Sequence, residues 1–241
     1  MTIYLVGGAP HSGLDAMWDA FVASARTRGN RFVVALCSDG ANATDYLDDY
    51  FAPLVRRFPE AEIEPVWLLR EPEPEPVPSV EQEPAGLIIG DGPVPTVLAA
   101  LQERTAQWAR HIRRGTQYLG FGAGAAVAAK QAIAGGWRFQ GNQVAPEATA
   151  AGFEEVTLLP GLGLIGLGVE PYADSRFTTT RAIAALHADR LTSAMALDEK
   201  VCLAVDAITG QTKVLGGGRV CWLTRHGKQT VMRFEAAPVS R

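Results

Sequence analysis

Residues 118–131 read YLGFGAGAAVAAKQ, the pattern of a strand, a sharp glycine turn and an alanine-rich helix. In hydrolases such a turn presents a serine or cysteine, and the helix behind it supplies amide donors and a favourable dipole. Here the turn offers only Gly120, Phe121, Gly122, Ala123 and Gly124. The arrangement suits nucleophilic acyl transfer, but no side chain at the turn can attack a carbonyl.

Other residues that could act as nucleophiles do not form a clear set. Cys37 ends a predicted strand and could face the same edge of the molecule. Thr178 to Thr180 fit better as the N-cap and first turn of a helix ending near Leu186. The cysteines are odd in number and lack a C-x-x-C pair, which favours buried thiols over a disulfide framework or a zinc site. We therefore predict no metal site and no cofactor.

Strand and helix patterns alternate along most of the chain, which predicts a parallel sheet covered by helices on both faces. Ligands bind beyond the carboxyl ends of the strands in such sheets, so Gly7, Gly90 and Gly122 should share one edge. The predicted strands are 3–6, 31–37, 63–69, 87–89 and 117–121, and the predicted helices are 14–25, 46–58, 97–112 and 123–134.

The pattern changes near residue 190. Short strand-like runs at 193–196, 201–206, 213–215, 219–224 and 230–234 are separated by turn signals, which predicts antiparallel hairpins at the sheet edge or in a small second sheet. The Pro/Glu-rich stretch at 71–84 is expected to be an extended surface loop rather than a linker. We expect one domain over residues 1–241.

Composition excludes several classes of function. The chain has 241 residues, 47% of them hydrophobic, and a formal net charge of -4. The 71–84 stretch holds five glutamates and no basic residue, so the rest of the chain has a net charge of about +1, and neither nucleic acid nor an anionic membrane is an expected partner. The first residues lack the charged and apolar regions of a signal peptide, and no apolar run is long enough to span a bilayer. We expect a soluble, cytoplasmic protein.

Four stretches in order carry a resemblance. They are the glycine pair Gly7-Gly8, the run GDGPVPTVLAAL at 90–101, the turn GFGAGAA at 120–126, and LPGLGLIGLGVEPYADSRFTTTRAIAAL at 159–186. Together they resemble peptidase family S51, which comprises the cyanophycinases and dipeptidase E. The following LDEKVCLAVD also resembles that family. The resemblance implies a fold like that of class I glutamine amidotransferases, with a flavodoxin-like sheet.

The same resemblance implies where the catalytic residues of the family would stand. Gly122 takes the place of the serine nucleophile, and Tyr172 takes that of the histidine base. Gln140 is nearest to the position where the family has the acid of its triad. Asp91 replaces a glycine in the turn that contributes to the oxyanion hole. A tyrosine is a poor base at neutral pH, and a carboxylate beside a developing oxyanion would raise its energy.

Some polar groups of the cleft remain as candidates for ligand binding. They are Arg176, Arg181, Glu170, Asp174 and Glu199, although ion pairing and turn capping would explain each of them as well. One hypothesis is a catalytically inactive pseudo-peptidase that binds a small acidic or peptide ligand or has a structural role. The alternative is an active peptidase acting on aspartyl or isoaspartyl bonds through an unrecognised nucleophile. The sequence leaves open whether the protein is a monomer or a homodimer.

Overall fold

The computed structural model describes residues 1–38, 43–69, 82–102, 104–188 and 191–238. Most of the Pro/Glu-rich stretch therefore lies outside the described residues. The strands are β1 (Thr2–Val6), β2 (Arg31–Ser38), β3 (Glu62–Leu69), β4 (Gly86–Ile89), β5 (Gln117–Phe121), β6 (Gln131–Gly135), β7 (Arg138–Phe139), β8 (Asn142–Gln143), β9 (Thr157–Pro160), β10 (Gly168–Glu170), β11 (Ser193–Leu197), β12 (Val201–Asp206), β13 (Thr212–Gly216), β14 (Arg219–His226) and β15 (Gln229–Ala236). The α-helices are α1 (Asp15–Ala25), α2 (Ala43–Arg57), α3 (Val94–Leu101), α4 (Thr105–Arg113), α5 (Ala123–Val127) and α6 (Thr179–His187).

A seven-stranded sheet in the order β13-β12-β1-β5-β4-β2-β3 forms the centre of the fold. The strands β1 to β5 are parallel to one another, while β12 and β13 extend the sheet antiparallel. Its strands are buried because helices cover both faces, which explains their continuous apolar sequences. This confirms the predicted α/β fold with a central, mostly parallel sheet.

Helices α1 and α2 pack on one face of this sheet, around Phe21, Tyr50 and Phe121. Helices α3, α4 and α5 pack on the other face, around Trp108 and a group of buried alanines. No helix in the described part of the chain is both long and apolar enough to cross a membrane.

A second, four-stranded sheet has the order β10-β11-β14-β15. Helix α6 covers one of its faces, where Ala185 packs in one cluster with Ala194 and Leu223. The sequence predicted C-terminal hairpins either at the edge of the large sheet or in a small second sheet, and both occur. β12 and β13 join the edge of the large sheet, and β11, β14 and β15 belong to the second sheet. Two short antiparallel pairs, β6-β9 and β7-β8, complete the strands.

The predicted helix over 123–134 is wrong beyond Val127. The carbonyl of Val127 accepts the amide of Leu162 at 2.8 Å, and that of Ala128 accepts the amide of Leu164 at 2.9 Å, so the chain leaves the helix and enters β6. Alanine favours a helix locally, but its small side chain also allows two backbones to approach closely, and this tertiary pairing overrides the local preference. Gly161 makes the approach possible, since a Cβ there would lie 2.2 Å from the carbonyl oxygen of Ala129.

The predicted helix over 97–112 is two helices, α3 and α4. The amide of Gln102 donates to Ala99 at 3.3 Å, which closes a tight final turn after α3. The second helix starts at Thr105 and buries Trp108 and Ile112.

Candidate functional site

The turn between β5 and α5 has the backbone of a strand-to-helix elbow. Gly122 has φ +49° and ψ −107°, a conformation that is strained for any residue with a side chain. Its amide donates to the carbonyl of Val6 at 3.0 Å, which fixes the turn at the carboxyl edge of the large sheet. Gly120 and Gly124 are required by close packing: a Cβ on either would lie within 2.4 Å of a backbone carbonyl oxygen.

The carboxylate of Asp91 occupies the space above Gly122. A Cβ built on Gly122 would lie 2.0 Å from Oδ1 of Asp91, so a side chain at residue 122 and the present carboxylate cannot coexist. The same Oδ1 accepts the amide of Ala123 at 2.9 Å. In nucleophile elbows this amide, which follows the nucleophile, is an oxyanion donor, and here it is already occupied by a negative charge.

Tyr172 lies on the other side of Asp91. Its hydroxyl donates to Oδ2 of Asp91, and its amide donates to the carbonyl of Gly7 at 2.7 Å. Tyr172 has φ +58°, an unusual conformation for a tyrosine that brings the ring over the turn. Burial raises the pKa of Tyr172 well above its usual value, and the charge of Asp91 raises it further. The phenol therefore acts as a hydrogen-bond donor at neutral pH and not as a base.

Arg176 forms the exposed side of the site. Its guanidinium carbon lies 3.6 Å from the centre of the Tyr172 ring, a cation–π contact. Among the described residues no carboxylate forms an ion pair with Arg176. Its donors are therefore available to an anionic group that enters from solvent.

Arg181 and Glu170 form a buried ion pair at the base of the site. Nε and Nη2 of Arg181 donate to the two carboxylate oxygens of Glu170 at 3.0 and 2.6 Å. Nη1 of Arg181 donates to the carbonyls of Thr149 and Gly136 at 2.6 and 3.2 Å. Burial raises the pKa of Glu170, and the guanidinium of Arg181 opposes that shift. Arg181 thus ties α6 to β10, to Gly136 after β6 and to the loop after β8, and each of its guanidinium nitrogens already donates to one of these groups.

Asp174 and Glu199 are placed nearby but in different roles. Oδ1 of Asp174 accepts the amides of Ser175 and Glu199, both at 2.8 Å, so Asp174 caps its own turn and joins it to the start of β12. The side chain of Glu199 passes over Gly8, where a Cβ would lie 2.5 Å from Cγ of Glu199. The negative charge of Glu199 also contributes to the raised pKa of Tyr172.

Gln140 does not reach the site. It lies at the exposed turn between β7 and β8 with φ +51°, and its amide donates to Oε2 of Glu155 at 3.2 Å. The cavity beside the turn is lined by other residues. The structure therefore does not bring the predicted acid position to Gly122.

A cavity of about 320 Å³ connects these groups. Asp91, Tyr172 and Arg176 line it together with Arg181 and Glu170, and residues of β6 and of the loop at 148–151 form one of its walls. This wall was not predicted, although the pair Gly135-Gly136 indicates a break at the end of β6. Among the described residues no histidine or cysteine lines the cavity.

Metal binding and a cysteine nucleophile find no support in the described residues. No group of three or more His, Cys, Asp or Glu side chains in that part of the chain could hold a metal ion. Burial raises the pKa of the Cys37 thiol to about 12, and the charge of Asp91 adds to the shift. At neutral pH Cys37 is therefore a thiol and not a thiolate.

Comparison with known proteins gives the fold. No protein-family model and no curated protein matches the sequence. The structure is similar to the crystal structure of a peptidase from an acI-B1 Actinobacterium, with a TM-score of 0.65 and 15% identity over 98% of this chain and 94% of that one. It is also similar to a provisionally assigned Peptidase E protein from Listeria monocytogenes EGD-e, with a TM-score of 0.57 and 11% identity over 90% of this chain and 98% of that one. The chain therefore has a fold that is found in peptidases.

Proposed function

We propose that this chain is a pseudo-peptidase of the S51 type, with the class I glutamine amidotransferase-like fold, that binds a small acidic or peptide ligand without cleaving it. One observation carries the proposal: the carboxylate of Asp91 fills the place where a nucleophile on residue 122 would stand and accepts the Ala123 amide. A tetrahedral oxyanion needs that amide and would be repelled by that charge. Acyl transfer at this turn is disfavoured because residue 122 has no attacking group and the Ala123 amide already binds a carboxylate.

The position of Tyr172 supports the same conclusion. A general base for acyl transfer must accept a proton near neutral pH, whereas burial and the neighbouring carboxylate raise the pKa of Tyr172 well above that range. Its hydroxyl proton is directed at Asp91. The pair holds the turn in a closed, hydrogen-bonded arrangement.

The charges on the cavity wall indicate what the ligand carries. Arg176 offers an exposed guanidinium with no ion-pair partner in the described part of the chain, and Asp91 offers a carboxylate further inside the cavity. Arg181 and Glu170 neutralise each other. A free amino acid or short peptide fits this pattern, with a carboxylate on Arg176 and an ammonium group directed toward Asp91.

Calorimetric titration with a panel of aspartyl and β-aspartyl dipeptides tests binding, and product analysis on the same samples tests cleavage. We expect saturable binding without products, and we expect Arg176→Gln to weaken binding about tenfold or more. Arg26→Gln is the matched control, because Arg26 is also exposed and lies 5.6 Å from the centre of an aromatic ring, that of Phe58, at the end of α1 opposite the turn. Absence of binding to the whole panel, or equal loss in both variants, would contradict the proposed ligand class.

The second candidate is an active hydrolase in which Asp91 itself does chemistry. The observation in its favour is that the Asp91 carboxylate lies at the elbow and lines the cavity. Turnover of any panel peptide that is abolished by Asp91→Asn, with binding retained, would establish this candidate and exclude the pseudo-peptidase.

A further inference from the structure

The outer edge of the second sheet combines free backbone groups with exposed apolar side chains. β15 is the last strand of that sheet, and no strand in the described residues pairs with its outer side. Three of its apolar side chains are about half exposed: Val231 at 55%, Met232 at 43% and Phe234 at 55%. A long open edge of this kind is a template for pairing with another strand.

The hairpin geometry decides which residues turn their backbone groups outward. β14 and β15 are joined by the two-residue turn Gly227-Lys228, and His226 pairs with Gln229 across it. Residues two positions apart from this closing pair repeat its hydrogen bonding to β14. The amide of Arg225 fits this alternation, because it donates to Thr192 before β11 on the opposite side, at 2.9 Å. The groups that face outward therefore belong to the even-numbered residues Thr230, Met232, Phe234 and Ala236.

Antiparallel pairing of β15 with a second copy of itself allows three central registers. The two-fold axis can pass through Met232, Arg233 or Phe234, because in each case the outward-facing backbone amides and carbonyls of one copy lie opposite those of the other. An axis at Arg233 places two arginines opposite each other, and an axis at Met232 places Arg233 opposite Val231. Only an axis at Phe234 places Arg233 of each copy opposite Glu235 of the other.

The side chains around this register are already held in place within one copy. Nε1 of Trp222 donates to Oε2 of Glu235 at 3.0 Å, and the guanidinium carbon of Arg233 lies 5.6 Å from the centre of the Trp222 ring. On the opposite face of the sheet, Phe234 contacts the guanidinium of Arg219, 5.2 Å from the ring centre. Both charged groups and the apolar anchor are thus ordered before any pairing.

We propose that this protein forms a two-fold homodimer through β15, with Phe234 at the axis and two Arg233–Glu235 cross-strand ion pairs. The two four-stranded sheets become one continuous sheet, and Phe234 and Met232 pack against Phe234 and Ala236 of the other copy. Opposite charges directly across two strands stabilise the pair, and like charges destabilise it. The inference does not depend on the proposed ligand.

Charge reversal tests the register. In sedimentation experiments we expect a dimer whose dissociation constant rises about tenfold or more in Arg233→Glu and in Glu235→Arg, because each change makes two like-charge pairs across the interface. Each reversal also replaces the Arg233–Glu235 contact of 3.2 Å within a copy, which is present in monomer and dimer alike. An equimolar mixture of the two variants should form a heterodimer, since both cross-strand pairs are then complementary. Lys228→Glu, in the turn outside the register, is the control and should leave the dimer unchanged. A monomeric wild-type protein, or a dimer unaffected by the single reversals, would overturn the proposal.

Disulfide trapping provides an independent measurement. Phe234→Cys places two thiols at the axis, where a hydrogen-bonded pair has a Cα separation of about 5.5 Å, within reach of a disulfide. Met232→Cys places them about 14 Å apart and should not cross-link. Both variants are made with Cys221→Ala, because Cys221 lies opposite Phe234 on β14 and would compete. Cross-linking at 232 but not at 234 would overturn the register.

Discussion

The hydroxyl of Tyr172 donates to the carboxylate of Asp91 directly above Gly122, and the same carboxylate accepts the amide of Ala123. A single acidic side chain therefore connects the turn after β4, the turn after β5 and the loop after β10. Whether a side chain can be accommodated at residue 122 therefore depends on the side chain at residue 91.

Replacing Gly122 by serine should expose this dependence. Gly122→Ser must adopt a positive φ and displace the Asp91 carboxylate, so we expect a loss of about 2–4 kcal/mol in the free energy of unfolding. In Gly122→Ser/Asp91→Ala the collision is absent, and the double variant should be at least about 1 kcal/mol more stable than the sum of the single effects predicts. Urea unfolding of the four proteins measures the coupling. Strict additivity would show that the carboxylate moves aside freely.

Removing the tyrosine hydroxyl tests the other half of the contact. Tyr172→Phe leaves the ring and its packing unchanged but takes one donor from Asp91, so we expect a loss of about 1–3 kcal/mol in the free energy of unfolding. With Asp91→Ala already present, Tyr172→Phe should cost less, because no acceptor remains. An equal loss of unfolding free energy in both backgrounds would show that the hydroxyl of Tyr172 stabilises the fold through a contact other than the one to Asp91.

The sequence predicted the elements that place this contact but not the contact itself. Continuous apolar strands such as Phe32–Leu36 and Leu87–Ile89 belong only in a sheet covered on both faces, so the carboxyl-edge position of Gly122 followed from them. The meeting of Asp91 with Tyr172 joins residues 81 positions apart and depends on the positive φ of Tyr172, which no local pattern indicates.

The site wall was missed for a related reason. A run of alanines predicts a helix, but the residues after Val127 form backbone hydrogen bonds with the segment at 161–165 instead. The same pairing leads into β6, whose Ile133 and Ala134 line the cavity. The resemblance to the peptidase family implied Gln140 as nearest to the acid position, but the hairpin formed by β7 and β8 carries it to an exposed turn.

Breaking the buried ion pair should have a large effect that depends on pH. Arg181→Met leaves Glu170 buried without its cation, and we expect a loss of about 3–5 kcal/mol in the free energy of unfolding at neutral pH. Burial raises the pKa of Glu170, and without the opposing Arg181 the folded variant binds a proton at a pH where the unfolded chain has released it. The stability of Arg181→Met should therefore increase as pH falls toward the usual glutamate pKa, and decrease as pH rises.

Thermal and urea unfolding of Arg181→Met between mildly acidic and neutral pH measures this slope. Glu170→Leu/Arg181→Met is the control, since it removes the buried carboxyl and should show no additional pH dependence. If Arg181→Met were instead most stable at the highest pH, Glu170 would have found a new cation or water.

The thiol of Cys37 is influenced by the charge of Asp91 at the turn. Its pKa of about 12 results first from burial and then from the charge of Asp91, so iodoacetamide should alkylate native Cys37 at least about 10³-fold more slowly at pH 8 than an ordinary thiol. The rate should rise about tenfold per pH unit, because only the thiolate reacts. Cys202→Ala/Cys221→Ala isolates the signal, and the same protein in urea gives the reference rate. Fast alkylation that levels off near pH 7 would mean a lowered pKa, and it would bring Cys37 back as a nucleophile for the elbow.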